Sequence, residues 1–110
     1  MKKGMIKVSV LYSNGEGKTF DTDYYANKHL PMVGELLGNL LKGATSEKGS
    51  GGAEPGAPAP FASIGSMYFD SVEDFGTAFG PNAEKIMGDL PKFTNIEPII
   101  QISEVKQVRK

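Results

Sequence analysis

From Met5 to Ser13 apolar and polar positions alternate, with Ile6, Val8, Val10 and Tyr12 on one side and Lys7, Ser9 and Leu11 on the other. A period of two predicts a strand. The glycines of the following loop, Asn14-Gly15-Glu16-Gly17-Lys18, match neither the Walker nor the Rossmann phosphate-loop spacing. The period then changes. Tyr25, His29, Val33, Leu36 and Leu37 recur at steps that trace one helical face, so His29 points inward. Asp21 is placed to cap this helix, Asp23 to complement its dipole, and Phe20 and Tyr25 to form a hydrophobic staple. Pro31 interrupts the pattern. It has no N–H for the Asn27 carbonyl and steers Leu30 from helical angles. Either the helix kinks, or a second helix begins with Pro31 at its first position. Gly38 is a natural stop.

Leu40 to Glu47 reads as a weaker strand. Ser46 to Pro60 carries four glycines and three prolines and reads as a flexible loop that serves as a lid, a docking arm or a plain hairpin tip. Ala62 to Phe69 is a third strand, with Ala62, Ile64, Ser66 and Tyr68 alternating against Ser63, Gly65, Met67 and Phe69. Gly65 in mid-strand marks a bulge or a close approach by another group. Ser71 and Asp74 open a second helical region whose inward stripe is Val72, Phe75 and Phe79. Gly80-Pro81 breaks it and starts a further helix with Ala83, Ile86, Met87 and Leu90, and Pro91 ends the run. Ile96 to Val105 is the last strand. The order β-α-β-β-α-β predicts an α+β, ferredoxin-like fold: a four-stranded antiparallel sheet with both helices on one face. The other face is bare, leaving Leu11 and Ile99 or Ile100 in water. A second copy packing its sheet on the first is the economical cover, so a homodimer is expected.

The length of 110 residues suits a single domain, with an ordered core from about residue 5 to 106. Twelve basic residues against 13 acidic ones give no general pull toward nucleic acid. The absence of cysteine excludes disulfides, thiolate catalysis and Cys-based metal sites. No apolar run approaches a membrane span or a signal-peptide core, which points to the cytoplasm and away from the membrane. One histidine and scattered carboxylates such as Asp21 and Asp23 make no convincing ligand set, so neither metal nor cofactor is expected; haem held from one side by His29 is the exception that an absorbance spectrum would reveal. A lone inward histidine can exchange a proton near neutrality. Bonded to a carbonyl freed by Pro31, it can equally be structural.

Asp21-x-Asp23-Tyr24-Tyr25-x-x-His29-x-Pro31 resembles the signature of the ethyl tert-butyl ether degradation (EthD) family. The likeness continues through Pro58-Ala59-Pro60, Phe69-Asp70-Ser71-Val72-Glu73-x-Phe75, Ala78-Phe79-Gly80-Pro81 and Asp89-Leu90-Pro91-x-Phe93-Thr94. It implies a dimeric α/β barrel, in which two ferredoxin-like subunits press their sheets together around a pocket between helices and sheet in each. The resemblance places His29 and Tyr25 in that pocket as catalytic residues, with Tyr12, Tyr68 and Ser66 as binding residues. Ser66 and Asn82 stand where some relatives are expected to carry a bulkier polar residue or histidine, which argues against a two-histidine mechanism. The expected function is oxidoreductase-type or cofactor-free acid–base chemistry on a small hydrophobic organic molecule, in degradative or secondary metabolism. The alternative is a carrier that holds a hydrophobic intermediate for a partner oxygenase.

Overall fold

A computed structural model describes residues 2–109. Strands β1 (Ile6–Ser13), β2 (Gly43–Lys48), β3 (Phe61–Phe69) and β4 (Ile99–Glu104) form one antiparallel sheet in the order β2-β3-β1-β4. Between β1 and β2 run α1 (Thr22–Tyr24), a π-helical turn (Tyr25–His29) and α2 (Leu30–Leu37), continuous with one another. Between β3 and β4 lie α3 (Val72–Phe79) and α4 (Ala83–Gly88). The helices pack on one face of the sheet, the expected α+β, ferredoxin-like arrangement.

Local chemistry sets the helix ends. The Asp21 carboxylate accepts from the Tyr24 N–H at 3.0 Å, and the Ser71 hydroxyl accepts from the Asp74 N–H at 3.0 Å; caps of this kind contribute about 1 kcal/mol each. Phe20 and Tyr25 meet with ring centroids 5.0 Å apart, as the staple requires. Gly38 ends α2 at φ 64°, an angle other residues rarely adopt.

Alternation in β1 turns Ile6, Val8 and Tyr12 into the core against Phe69, Val33, Leu37, Ala78 and Ile86, with Tyr25, Leu90, Phe93 and Ile96 filling the far end. Val8 and Phe69 are wholly enclosed, and such side chains contribute about 1.5–3 kcal/mol each.

Several sequence boundaries move. Leu40 belongs to a 3-10 turn, and β2 runs on to Lys48, which pairs with Ser63. Residues 46–48 are therefore strand, because backbone pairing to β3 outweighs their polar sequence. The remaining loop is tied back: Asn14 donates from its N–H to the Pro60 carbonyl at 2.9 Å and from Nδ2 to the Ala59 carbonyl at 3.0 Å. Val72 is exposed rather than inward, and buried Ala78 takes its place beside half-buried Phe75 and Phe79. Ile96 precedes β4 as a buried loop residue. Phe20 pairs with Thr94, whose hydroxyl donates to the Thr19 carbonyl at 2.7 Å, so the start of the first helix is stitched to the chain before β4.

Candidate functional site: a histidine on a π-turn

Pro31 falls in the first turn of α2, which follows the preceding turns without an intervening break. The Leu30 N–H donates to the Tyr25 carbonyl, five residues back, and the helix absorbs the proline as a π-turn. This wider turn brings Tyr25 and His29 inward together, at 4% and 3% exposure, with their rings stacked at 5.6 Å and 17°. Phe93 closes on His29 with ring centroids 4.7 Å apart. π-turns of this kind gather at functional sites.

The partner of His29 is a carboxylate. Its Nδ1 lies 3.0 Å from Oδ2 of Asp89, which stands where α4 ends and the chain turns through Leu90–Lys92. The Tyr24 hydroxyl donates to Oδ1 of Asp89 at 3.0 Å, and Lys92 Nζ lies 3.7 Å from the same oxygen. Burial alone would raise the Asp89 carboxyl, but hydrogen bonds from His29 and Tyr24, with the charges of His29 and Lys92, outweigh it and hold Asp89 below its ordinary value. Asp89 is thus ionised at neutral pH and can only accept, so the Nδ1 position of His29 carries the proton of this bond. Nε2 has no partner among the described residues.

His29 and Tyr12 border a cavity of about 50 Å³ whose other walls are apolar, among them Val8, Leu30, Val33, Met67 and Leu90. A second, more open cavity of about 320 Å³ lies on the other side of Leu30 and Met67. Proton exchange at Nε2 in an apolar, water-poor space is chemistry this arrangement can perform. No group of three or more His, Asp or Glu side chains among the described residues is arranged to hold a metal.

The EthD domain model matches residues 14–97. The chain belongs to the EthD family. The EthD-like protein of Ralstonia eutropha JMP134 is 42% identical over 98% of this chain and 97% of its own, with a TM-score of 0.91. An ethyl tert-butyl ether degradation family protein of Bacillus halodurans C-125 follows at 21% identity, 91% and 97% coverage and TM-score 0.63. A dimeric protein of unknown function and ferredoxin-like fold from Bacteroides fragilis NCTC 9343 shares the architecture at 14% identity, 94% and 99% coverage and TM-score 0.58. No curated protein matches the chain. None of the described helices of this EthD-family chain is long and apolar enough to cross a membrane.

Of the residues singled out by sequence, the fold brings three together. Tyr12 lies on the helix-facing side of β1 with its ring 5.8 Å from that of Tyr25, and it borders the His29 cavity. Burial, reinforced by the nearby partner tyrosine, raises the Tyr12 hydroxyl well above its ordinary value. Burial likewise pushes Tyr25 up to about 12, with Glu47 adding to it. Both remain neutral hydrogen-bond donors at physiological pH. The Tyr25 hydroxyl reaches Gly65, where a Cβ would sit 2.5 Å away, so the close approach read from that glycine is made by Tyr25.

Tyr68 does not join them, and Ser66 borders only the open cavity. Antiparallel register sets Tyr68 opposite Lys7 and Ser66 opposite Ser9, so their side chains leave on the sheet face away from the helices. Lys7 Nζ indeed lies 6.0 Å from the Tyr68 ring centroid. Asn82 is not a second catalytic group either; its Nδ2 donates to the carbonyls of Ala78 at 2.9 Å and Leu36 at 3.2 Å, tying the helical regions together. Sequence reasoning missed Asp89, Tyr24 and Lys92 as a set. The available signal was Asp89 in the Asp89-Leu90-Pro91 match, a lone carboxylate beside apolar residues.

Proposed function

We propose that this EthD-family chain is an acid–base enzyme acting on a small, mostly apolar organic molecule, with Nε2 of His29 taking or giving the proton. One observation carries the reading: a 3%-exposed histidine, bonded through Nδ1 to Asp89 at 3.0 Å, bordering an apolar cavity. The carboxylate fixes the ring and stabilises the imidazolium formed when Nε2 accepts a proton, as in other histidine–carboxylate pairs. Tyr12 borders the same cavity and is a donor suited to a developing oxyanion. Removal of a proton next to a carbonyl opens either an isomerisation or, with molecular oxygen as co-substrate, an oxidation. The degradative, oxidoreductase-type setting follows the family resemblance.

The working unit is a homodimer of single-domain subunits in the cytoplasm. Support comes from the open sheet face, where Ile99 is 55% exposed beside half-buried Leu11 and Ile64, and from the Bacteroides fragilis neighbour described as dimeric. Sedimentation at micromolar concentration should give twice the chain mass, and a monomer would remove the dimer.

Enolisable ketones in deuterated buffer, followed by NMR, test the chemistry. Wild type should catalyse exchange of the activated C–H, and His29→Gln should lose about 10²–10⁴-fold. Equal rates would remove His29 from the mechanism. A carrier of a hydrophobic intermediate for a partner oxygenase is the second reading, favoured by the size of the open cavity against the His29 cavity. Thermal stabilisation by such ketones without exchange would select it.

A further inference from the structure

The open cavity has chemistry of its own. At about 320 Å³ it falls in the range of small-molecule sites, roughly 300–1,000 Å³. Ala26, Leu30, Pro31 and Gly34 wall it on the helix side and Ala44 and Met67 on the sheet side, where Thr45, Ser46 and Ser66 also border it, and no charged side chain among the described residues does. No opposite charge stands ready to hold an ion there.

One acceptor stands on this wall without its helical donor. In an α-helix the Ala26 carbonyl would accept from the Leu30 N–H, but that N–H is committed to the Tyr25 carbonyl. The next donor along the chain would be residue 31, which is proline and has none. Helix carbonyls point toward the C-terminal end, so this one points toward Leu30 and Pro31, both part of the wall. The sequence device that creates the π-turn thus leaves a hydrogen-bond acceptor at the rim of a mostly apolar cavity.

We propose that the open cavity binds a neutral, mostly apolar molecule carrying one hydroxyl or N–H group, which donates to the Ala26 carbonyl while the apolar body lies against Leu30 and Met67. This site is distinct from the His29 cavity, since His29 does not border it, and binding here does not rest on the acid–base reading. Leu30 and Met67 border both cavities, so a molecule seated here is one side-chain layer from His29.

Fluorescence titration of the full chain with 2-naphthol and 2-methoxynaphthalene tests it, since the pair differ in the donor and little else. The naphthol should bind about fivefold more tightly, the worth of about one hydrogen bond. Gly34→Leu fills the cavity from the helix, where an added Cβ meets nothing within 4 Å, and should abolish binding of both probes. Ala44→Phe fills it from β2 and provides a second folded variant, each checked by circular dichroism. Equal affinity for the two probes, no binding of either, or undiminished binding in both filled variants would overturn the proposal. Binding as described in a protein that exchanges no C–H proton supports the site and sinks the acid–base reading alone.

Discussion

Two helical regions of this molecule meet a proline, and they answer it differently. At Pro31 the helix continues through a π-turn, whereas at Pro81 it breaks into the 3-10 turn Gly80–Asn82 and restarts as α4. The flanks explain the difference. Around Pro31 the residues Tyr25, His29, Val33 and Leu37 are all buried at four-residue steps, so both sides of the fault must keep the same face to the core. Widening one turn satisfies them all. Around Pro81 the next buried residue after Ala78 is Ile86, and Asn82 supplies the Ala78 carbonyl with a side-chain donor. Nothing holds the register there, and the chain turns. The cost of a proline is settled by what the neighbouring residues have to reach.

Gly65→Ala should have the largest effect on stability, because the new methyl group meets the Tyr25 hydroxyl at the π-turn. Overpacking of this kind costs about 1–3 kcal/mol, read as a fall in the urea midpoint; an unchanged midpoint would mean that Tyr25 moves aside freely. Pro31→Ala restores an N–H and removes the cause of the π-turn. His29 should then move off Asp89, lowering C–H exchange by about tenfold, or 1.4 kcal/mol, with loss of the slowly exchanging Nδ1 proton signal. A retained signal would show that packing alone maintains the turn.

Acid separates the two regions more gently. Asp89 is held below its usual 3.8, so just below that pH the unfolded chain binds the proton first and stability falls as pH falls. Tyr24→Phe removes one of the bonds that lower Asp89, and its carboxyl titration, followed by ¹³C NMR, should move upward. At the other extreme, Tyr25 keeps its proton up to about 12; between the ordinary 10 and that value the unfolded chain loses its proton first, and stability falls as pH rises. Pro81→Ala should have the smallest effect, within about 0.5 kcal/mol, and should leave the His29 signals in place. A shift there would couple the two faults.

Local features were legible in the sequence because their causes are local. The Asp21 cap, the Phe20–Tyr25 staple, the Gly38 stop and the inward turn of His29 each depend on residues a few positions apart. The strand order followed from periodicity and turn chemistry in the same way. The outcome at Pro31 was not legible, since it depends on which neighbours the core demands. The facing of β3 was equally hidden, because both of its alternating sets contain apolar residues; only pairing of Ile6 with Phe69 puts Tyr68 and Ser66 on the far side. Asp89 escaped for a third reason. Its role exists only across a contact between distant segments, and no spacing rule reaches that far.

That contact also bears on the order of events during synthesis. His29 and Asp89 are separated by 60 residues, and Thr94 bonds back to Thr19 across 75. A nascent chain has its histidine long before the carboxylate that orients it. Until the segment around Asp89 to Thr94 leaves the ribosome and docks, the ring has neither its fixed tautomer nor the Phe93 wall. The His29–Asp89 pair therefore forms only after the segment around Asp89 has been made and has docked.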